Sequence, residues 1–277
     1  MWLLRTSDLQ LKEFFGAEIP PYAILSHTWT DDEVTFQEIY ESSALGVESR
    51  QKRLGHHKVS RFCELAKEEG HEWAWIDSSC IDKRSSAELS EAISSMYTWY
   101  KNAQACMVYL ADVPGLDGIE ENVDLWLQAF KASKWFKRGW TLQELIASTR
   151  RTSFATDWTR IASSDGMIDA SKTQWVLARY FGDKIDETPF ITIISDITRI
   201  NLKLLLDSST LEDFCIAERM SWASLRNTTR PEDGAYSLMG LFGVNMPIPY
   251  GEGLFNAFER LQDEIMKNSF DQTIFAW

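Results

Sequence analysis

Trp140 and Glu144 stand four residues apart in Arg138-Gly-Trp-Thr-Leu-Gln-Glu144, where a helix is expected to start near Thr141. That spacing puts both on one helical face, so an aromatic platform and a carboxylate can be presented together. The competing reading makes Trp140 a core residue and Glu144 a solvated helix charge, and spacing alone leaves both open. Two further polar segments follow short apolar runs. Ser26-His27-Thr28-Trp29 closes the run that begins at Tyr22, and Asp77-Ser78-Ser79-Cys80-Ile81-Asp82-Lys83-Arg84 follows Trp73-Ala-Trp-Ile76. Asp77 alone could simply cap a turn. A Cys80/His27 thiol pair is a further arrangement, although a cysteine in an apolar setting is more often packing than nucleophile.

Other chemistries fail on spacing. There is no Cys-x2-Cys, no His-x3-His and no His-Glu-x2-His, and His56 and His57 would point from different faces of a helix. Ser26 and His27 are neighbours on an expected strand and face opposite ways, and no Gly-x-Ser-x-Gly elbow exists. The glycine fingerprints of dinucleotide-binding and phosphoryl-transfer loops are missing too.

The elements that must position these residues follow from periodicity. Tyr22–His27, Trp73–Asp77 and Ala105–Leu110 read as buried strands. Helices are expected over 57–69, closed by Gly70, and over 85–101, where Ser85 and Glu88 have capping-box spacing. Strand, helix, strand, helix, strand predicts a parallel sheet covered by helices over about 20–160, with Phe154–Ile161 as a further strand. Ligands of such sheets lie beyond the carboxyl ends of the strands, which is where the three polar segments fall. Beyond residue 160, the segments 164–182, 208–226 and 252–268 read as amphipathic helices, and Arg230-Pro231 is expected to open another. No repeat or flexible linker separates the halves, so residues 1–277 are expected to form one unit with the helical portion packed on the sheet.

Composition removes several function classes. With 28 Lys+Arg against 41 Asp+Glu, the formal charge of −13 repels nucleic acid and anionic membranes. No stretch approaches the roughly 20 apolar residues of a membrane span, and no signal sequence is legible, which predicts a cytoplasmic protein. The four cysteines are far apart within apolar segments and read as reduced core thiols.

Four blocks resemble the fungal heterokaryon-incompatibility (HET) domain. They are Tyr22-Ala-Ile-Leu-Ser-His-Thr-Trp29 with Glu33-Val-Thr-Phe-Gln37, Trp75-Ile-Asp-Ser-Ser-Cys-Ile-Asp-Lys83, Arg138–Glu144, and Arg230-Pro-Glu-Asp-Gly-Ala-Tyr-Ser-Leu-Met-Gly-Leu-Phe-Gly-Val244. The likeness continues through Tyr250-Gly-Glu-Gly253 to Ile274-Phe-Ala-Trp277. It implies an effector of cell death in non-self recognition, often joined to a receptor or sensor portion in a longer chain. More remotely, residues 20–160 resemble Toll/interleukin-1 receptor (TIR) domains, which implies a flavodoxin-like parallel sheet. Enzymatic TIR domains cleave NAD to nicotinamide and ADP-ribose forms after self-association. Carried over to this chain, that resemblance makes Glu144 the catalytic carboxylate and NAD a substrate, with no cofactor or metal required. Ser26, His27, Thr28, Trp29, Asp77, Ser78 and Trp140 would then surround the substrate, with Lys83, Arg84 and Arg138 meeting its pyrophosphate. The loop after Asp77 lacks the glycine usual in TIR domains. The alternative is a non-enzymatic interaction module that signals death through a partner.

Overall fold

Seven short strands form one sheet in the computed structural model, which describes residues 1–30, 33–42, 58–164, 170–182 and 189–276. His56, His57 and Trp277 lie outside the described residues. In chain order the strands and helices of the first part are β1 (Trp2–Arg5), β2 (Leu11–Glu13), β3 (Tyr22–His27), α1 (Phe36–Ser42), α2 (Lys58–Glu68), β4 (Trp73–Trp75), α3 (Ser86–Asn102), β5 (Ala105–Tyr109), α4 (Ile119–Ala132), α5 (Thr141–Ala147), β6 (Arg151–Phe154) and β7 (Arg160–Ser163). After them come α6 (Ala170–Phe181), α7 (Pro189–Thr198), α8 (Leu202–Leu206), α9 (Ile216–Ser221), α10 (Asp233–Tyr236), α11 (Met239–Phe242) and α12 (Leu254–Asn268).

The strand order is β2-β1-β4-β3-β5-β6-β7. Its centre, β4-β3-β5-β6, is parallel, as the alternation of strands and helices predicts. The edges correct the expectation of a parallel sheet, because β1, β2 and β7 run antiparallel to their neighbours. Connection length explains the difference. A parallel return needs a crossover of about a dozen residues or more, whereas β6 and β7 are joined only by 155–159. There Trp158 takes a positive φ of 63° and Asp157 Oδ1 accepts from Thr159 N, so the single strand expected over Phe154–Ile161 is a hairpin corner.

Local signals set most of the boundaries. All six residues of β3 are buried, as suits the centre of a sheet covered on both faces. Helix α2 ends where Gly70 adopts a φ of +88°. Ser85 caps α3 by accepting from Glu88 N at 3.3 Å, but the expected reciprocal bond is absent: Glu88 Oε1 accepts instead from Asp82 N at 3.0 Å. The cap therefore also pins the loop that carries Lys83. The helix expected over 208–226 breaks at Cys215, whose N–H donates to the Glu218 carboxylate and starts α9. Pro231 lies in the turn before α10 rather than in its first turn. One continuous cluster of buried apolar side chains runs from Leu3 in the sheet to Ile274 beyond α12, so the C-terminal helices share the core of the sheet.

Candidate functional site

The chain leaves β3 for β4 on one side and returns to β5 on the other, and this reversal of direction opens a crevice at the carboxyl ends of the strands. Ser26 and His27 end β3 at that point. Ser26 Oγ, fully buried, accepts from Trp135 Nε1 at 2.8 Å and spends its one proton on Glu144 Oε2 at 2.5 Å. The Glu144 carboxyl, only 6% exposed, is thus gripped from the sheet side, contrary to the reading of a solvated helix charge. Burial pushes its pKa up to about 8, helped by the nearby charge of Asp77 and opposed by the Ser26 hydrogen bond.

His27 faces the loop after β4. Its Nε2 lies 2.9 Å from Asp77 Oδ1, and its Nδ1 lies 2.7 Å from Lys58 Nζ. An ammonium can only donate, so Nδ1 is the acceptor and Nε2 carries the proton towards Asp77. Lys58 also donates to the Thr28 carbonyl at 3.2 Å and forms a buried ion pair with Glu33. Asp77 receives a second bond from Trp29 Nε1 at 2.8 Å. Burial works against its charge, but the bonds from His27 and Trp29 and the nearby Lys83 outweigh that and hold its carboxyl below the usual range. The two carboxyls therefore differ at neutral pH: Glu144 holds its proton and Asp77 does not.

His27, Trp29, Asp77, Lys83, Arg138, Trp140 and Glu144 line one cavity of about 290 Å3. Lys83 Nζ sits 3.3 Å from the centre of the Trp29 ring. The other expected residues are not on its wall. Ser78 is buried, with its hydroxyl unpartnered among the described residues, and Thr28 contributes its carbonyl to Lys58. Arg84 is exposed and turned onto Asp82. Cys80 is buried, and its thiol is pushed up to about 12 by that burial, while both ring nitrogens of His27 are engaged elsewhere, so no thiol pair forms.

Ile81 with Leu89, Ile93 and Met96 of α3 gives the cavity an apolar side, and the C-terminal half closes it through Thr229, Arg230, Asp233 and Tyr250. Asp233 Oδ1 accepts from Tyr250 Oη at 2.9 Å, while the Arg230 guanidinium lies 4.1 Å from the Tyr250 ring centre. In the sequence this segment reads as a helix start and a turn within the HET-like blocks, with no role at the site. Its clustering of Arg, Asp and Tyr was the available signal, but nothing local ties it to the crevice.

A short backbone seam does so. Gly139 N donates to Asn227 O at 2.8 Å and Asn227 N to Lys137 O at 2.6 Å, a parallel bridge that brings 227–230 beside the start of α5. Arg226 buries its guanidinium under the same turn and donates to the Arg138 carbonyl and to Thr141 Oγ1. At Gly139 a Cβ would stand 2.4 Å from Thr228 Cγ2. Gly139→Ala is therefore expected to cost about 1–3 kcal/mol in denaturant unfolding. Adding Thr228→Ser, which removes the clashing methyl, restores most of it; a loss that persists in the double variant would refute the contact.

Residues 22–124 match the model of the family described as heterokaryon incompatibility protein (HET). Over 260 residues the chain is 41% identical to "Vegetative incompatibility protein HET-E-1" of Podospora anserina. The chain carries a HET domain. The aligned stretch is 93% of this chain and 17% of that relative, so the HET domain here corresponds to a minor part of a much longer protein. Residues 256–277 match a second family model, described only as a domain of unknown function, DUF8212. No solved structure matches the HET domain chain. The residues matched by the HET model hold the His27, Trp29, Asp77 and Lys83 side of the cavity, with Ser26 behind it.

Proposed function

We propose that this HET domain is a cytosolic cell-death effector that removes NAD, cleaving its N-glycosidic bond and releasing nicotinamide with Glu144 as the catalytic carboxylate. The observation that carries this reading is the Glu144 carboxyl, fixed by Ser26 in a cavity walled by Trp29, Trp140 and Asp77. The parallel strand order β4-β3-β5-β6, with the crevice at the end of β3, supports the TIR likeness from which the substrate is taken.

The chemistry suits these residues. As the bond to the pyridinium ring lengthens, the ribose becomes oxocarbenium-like, and a carboxylate beside it lowers the energy of that charge. Nicotinamide leaves as a neutral molecule and needs no proton, while water adds to the ribose carbon it vacates, which completes ADP-ribose and releases one proton. Entry of the cationic ring favours loss of the proton from Glu144, and Asp77, already ionised, can accept from a ribose hydroxyl. A volume of about 290 Å3 lies at the low end of ligand sites and suits the nicotinamide-ribose half, with the remainder passing out beside Lys83.

Incubating the purified chain with NAD and following nicotinamide is the direct test. Release whose specific rate climbs with protein concentration adds the self-association expected of this chemistry, and no release at any concentration refutes the hydrolase. The second reading, an interaction module acting through a partner, is favoured by Phe255, Phe270 and Phe275, which are 85%, 103% and 76% exposed near the C-terminal end. It predicts killing that survives loss of Glu144 and fails when these phenylalanines become serine. The much greater length of the relative is consistent with a receptor or sensor portion joined to such a domain in a longer protein.

A further inference from the structure

Three cations face the cavity, and among the described residues none has a carboxylate within ion-pair distance: Lys83 lies over Trp29, Arg138 Nη1 donates to Thr229 Oγ1 at 3.2 Å, and Arg230 lies on Tyr250. In a chain with 41 acidic residues against 28 Lys+Arg, three cations gathered around one opening with no carboxylate at ion-pair distance make a local positive site that an anion can fill. The carboxylates nearby spend their hydrogen bonds elsewhere, Asp77 on His27 and Trp29 and Asp233 on Tyr250, and feel these cations only at longer range.

We propose that Arg230, seated on Tyr250 and held there through Asp233, completes a phosphate clamp with Arg138 and Lys83, so that the site takes a nucleotide carrying a pyrophosphate. The geometry gives each part a role. A guanidinium stacked on a ring has one face covered and keeps its N–H edge free, which is the edge that meets phosphate oxygens two at a time. Asp233 fixes the Tyr250 hydroxyl, and so fixes the plane on which Arg230 rests. Arg138 reaches the same place through Thr229, the residue immediately before Arg230. The seam at Gly139 thus carries two guanidinium groups to one mouth from distant parts of the chain. Tyr250 and Asp233 are positioning residues, and Arg230 is the residue that selects for phosphate.

The clamp rests on the nucleotide-site reading but not on cleavage, and calorimetry separates the two. ADP-ribose is titrated into the wild-type chain and into Arg230→Ala, Arg230→Lys and Tyr250→Phe, with adenosine as the phosphate-free control. ADP-ribose should bind more tightly than adenosine and weaken at least about tenfold in Arg230→Ala. Arg230→Lys should recover part of that loss, Tyr250→Phe should lie between, and adenosine should bind the wild-type and Arg230→Ala chains alike. Equal binding of ADP-ribose to wild type and Arg230→Ala, or ADP-ribose binding no better than adenosine, overturns the clamp. Tight, Arg230-dependent ADP-ribose binding without nicotinamide release from NAD would keep the clamp and remove the hydrolase. Nicotinamide release that is indifferent to Arg230→Ala would do the reverse.

Discussion

The Glu144→Gln chain is expected to release nicotinamide from NAD about 10²–10³-fold more slowly than the unaltered chain, with KM little changed. Glutamine keeps the size of the side chain and can still accept from Ser26 Oγ, so the site stays assembled while the charge is lost. The same assignment sets the pH profile. Burial holds the free carboxyl near a pKa of about 8, and the reaction uses its ionised form, so kcat/KM should climb about tenfold per pH unit on the acid side and level off near pH 8. The substrate's own positive ring favours the ionised carboxyl, so the corresponding limb in kcat lies at lower pH. A profile that is flat between pH 6 and 8, or a Glu144→Gln chain that keeps most of its rate, would remove Glu144 from the chemistry.

The same substitution should make the fold more stable. A carboxyl whose pKa is raised from 4.5 to about 8 on folding binds its proton more tightly in the folded chain. Stability therefore falls as pH rises through that window, by up to about 1.4 kcal/mol per pH unit. Glutamine does not titrate and escapes this penalty. At pH 4.5 the two chains should melt together, and at pH 8 the Glu144→Gln chain should be ahead by about 2–4 kcal/mol, several degrees in Tm for a protein of this size. A gap that fails to grow with pH would show that Glu144 is not desolvated as its burial indicates. Loss of activity coupled to a gain in stability is the mark of a residue kept for function against the interest of the fold.

Legibility from sequence divides along physical lines. Tyr22–His27 and Ala105–Tyr109 were readable because a fully buried strand must be a continuous apolar run, and α3 because its cap and stripe are local. The edges were not, since Trp2–Arg5 and Leu11–Glu13 are too short to show a period. In the site, the spacing of Trp140 and Glu144 told that they share a face but not which face meets the crevice; that depended on Ser26, 118 positions away. Arg84 was a natural companion to Lys83 by sequence, yet Asp82 two residues earlier claims it. Arg230, Asp233 and Tyr250 are brought to the cavity by long-range contacts such as the bridge between Arg138 and Asn227, which no local pattern encodes.

That bridge has an evolutionary consequence. Ser26, His27 and Asp77 sit at the ends of the parallel strands and Glu144 sits on α5, whereas Arg230 sits on a segment that meets the start of α5 through a pair of backbone hydrogen bonds beside its side-chain contacts. Backbone bonds do not depend on side-chain identity. Related chains can therefore exchange the residues around position 230 and alter what is admitted while the carboxylate and its serine stay in register, so that selectivity and reactivity can diverge at separate rates within one small cavity.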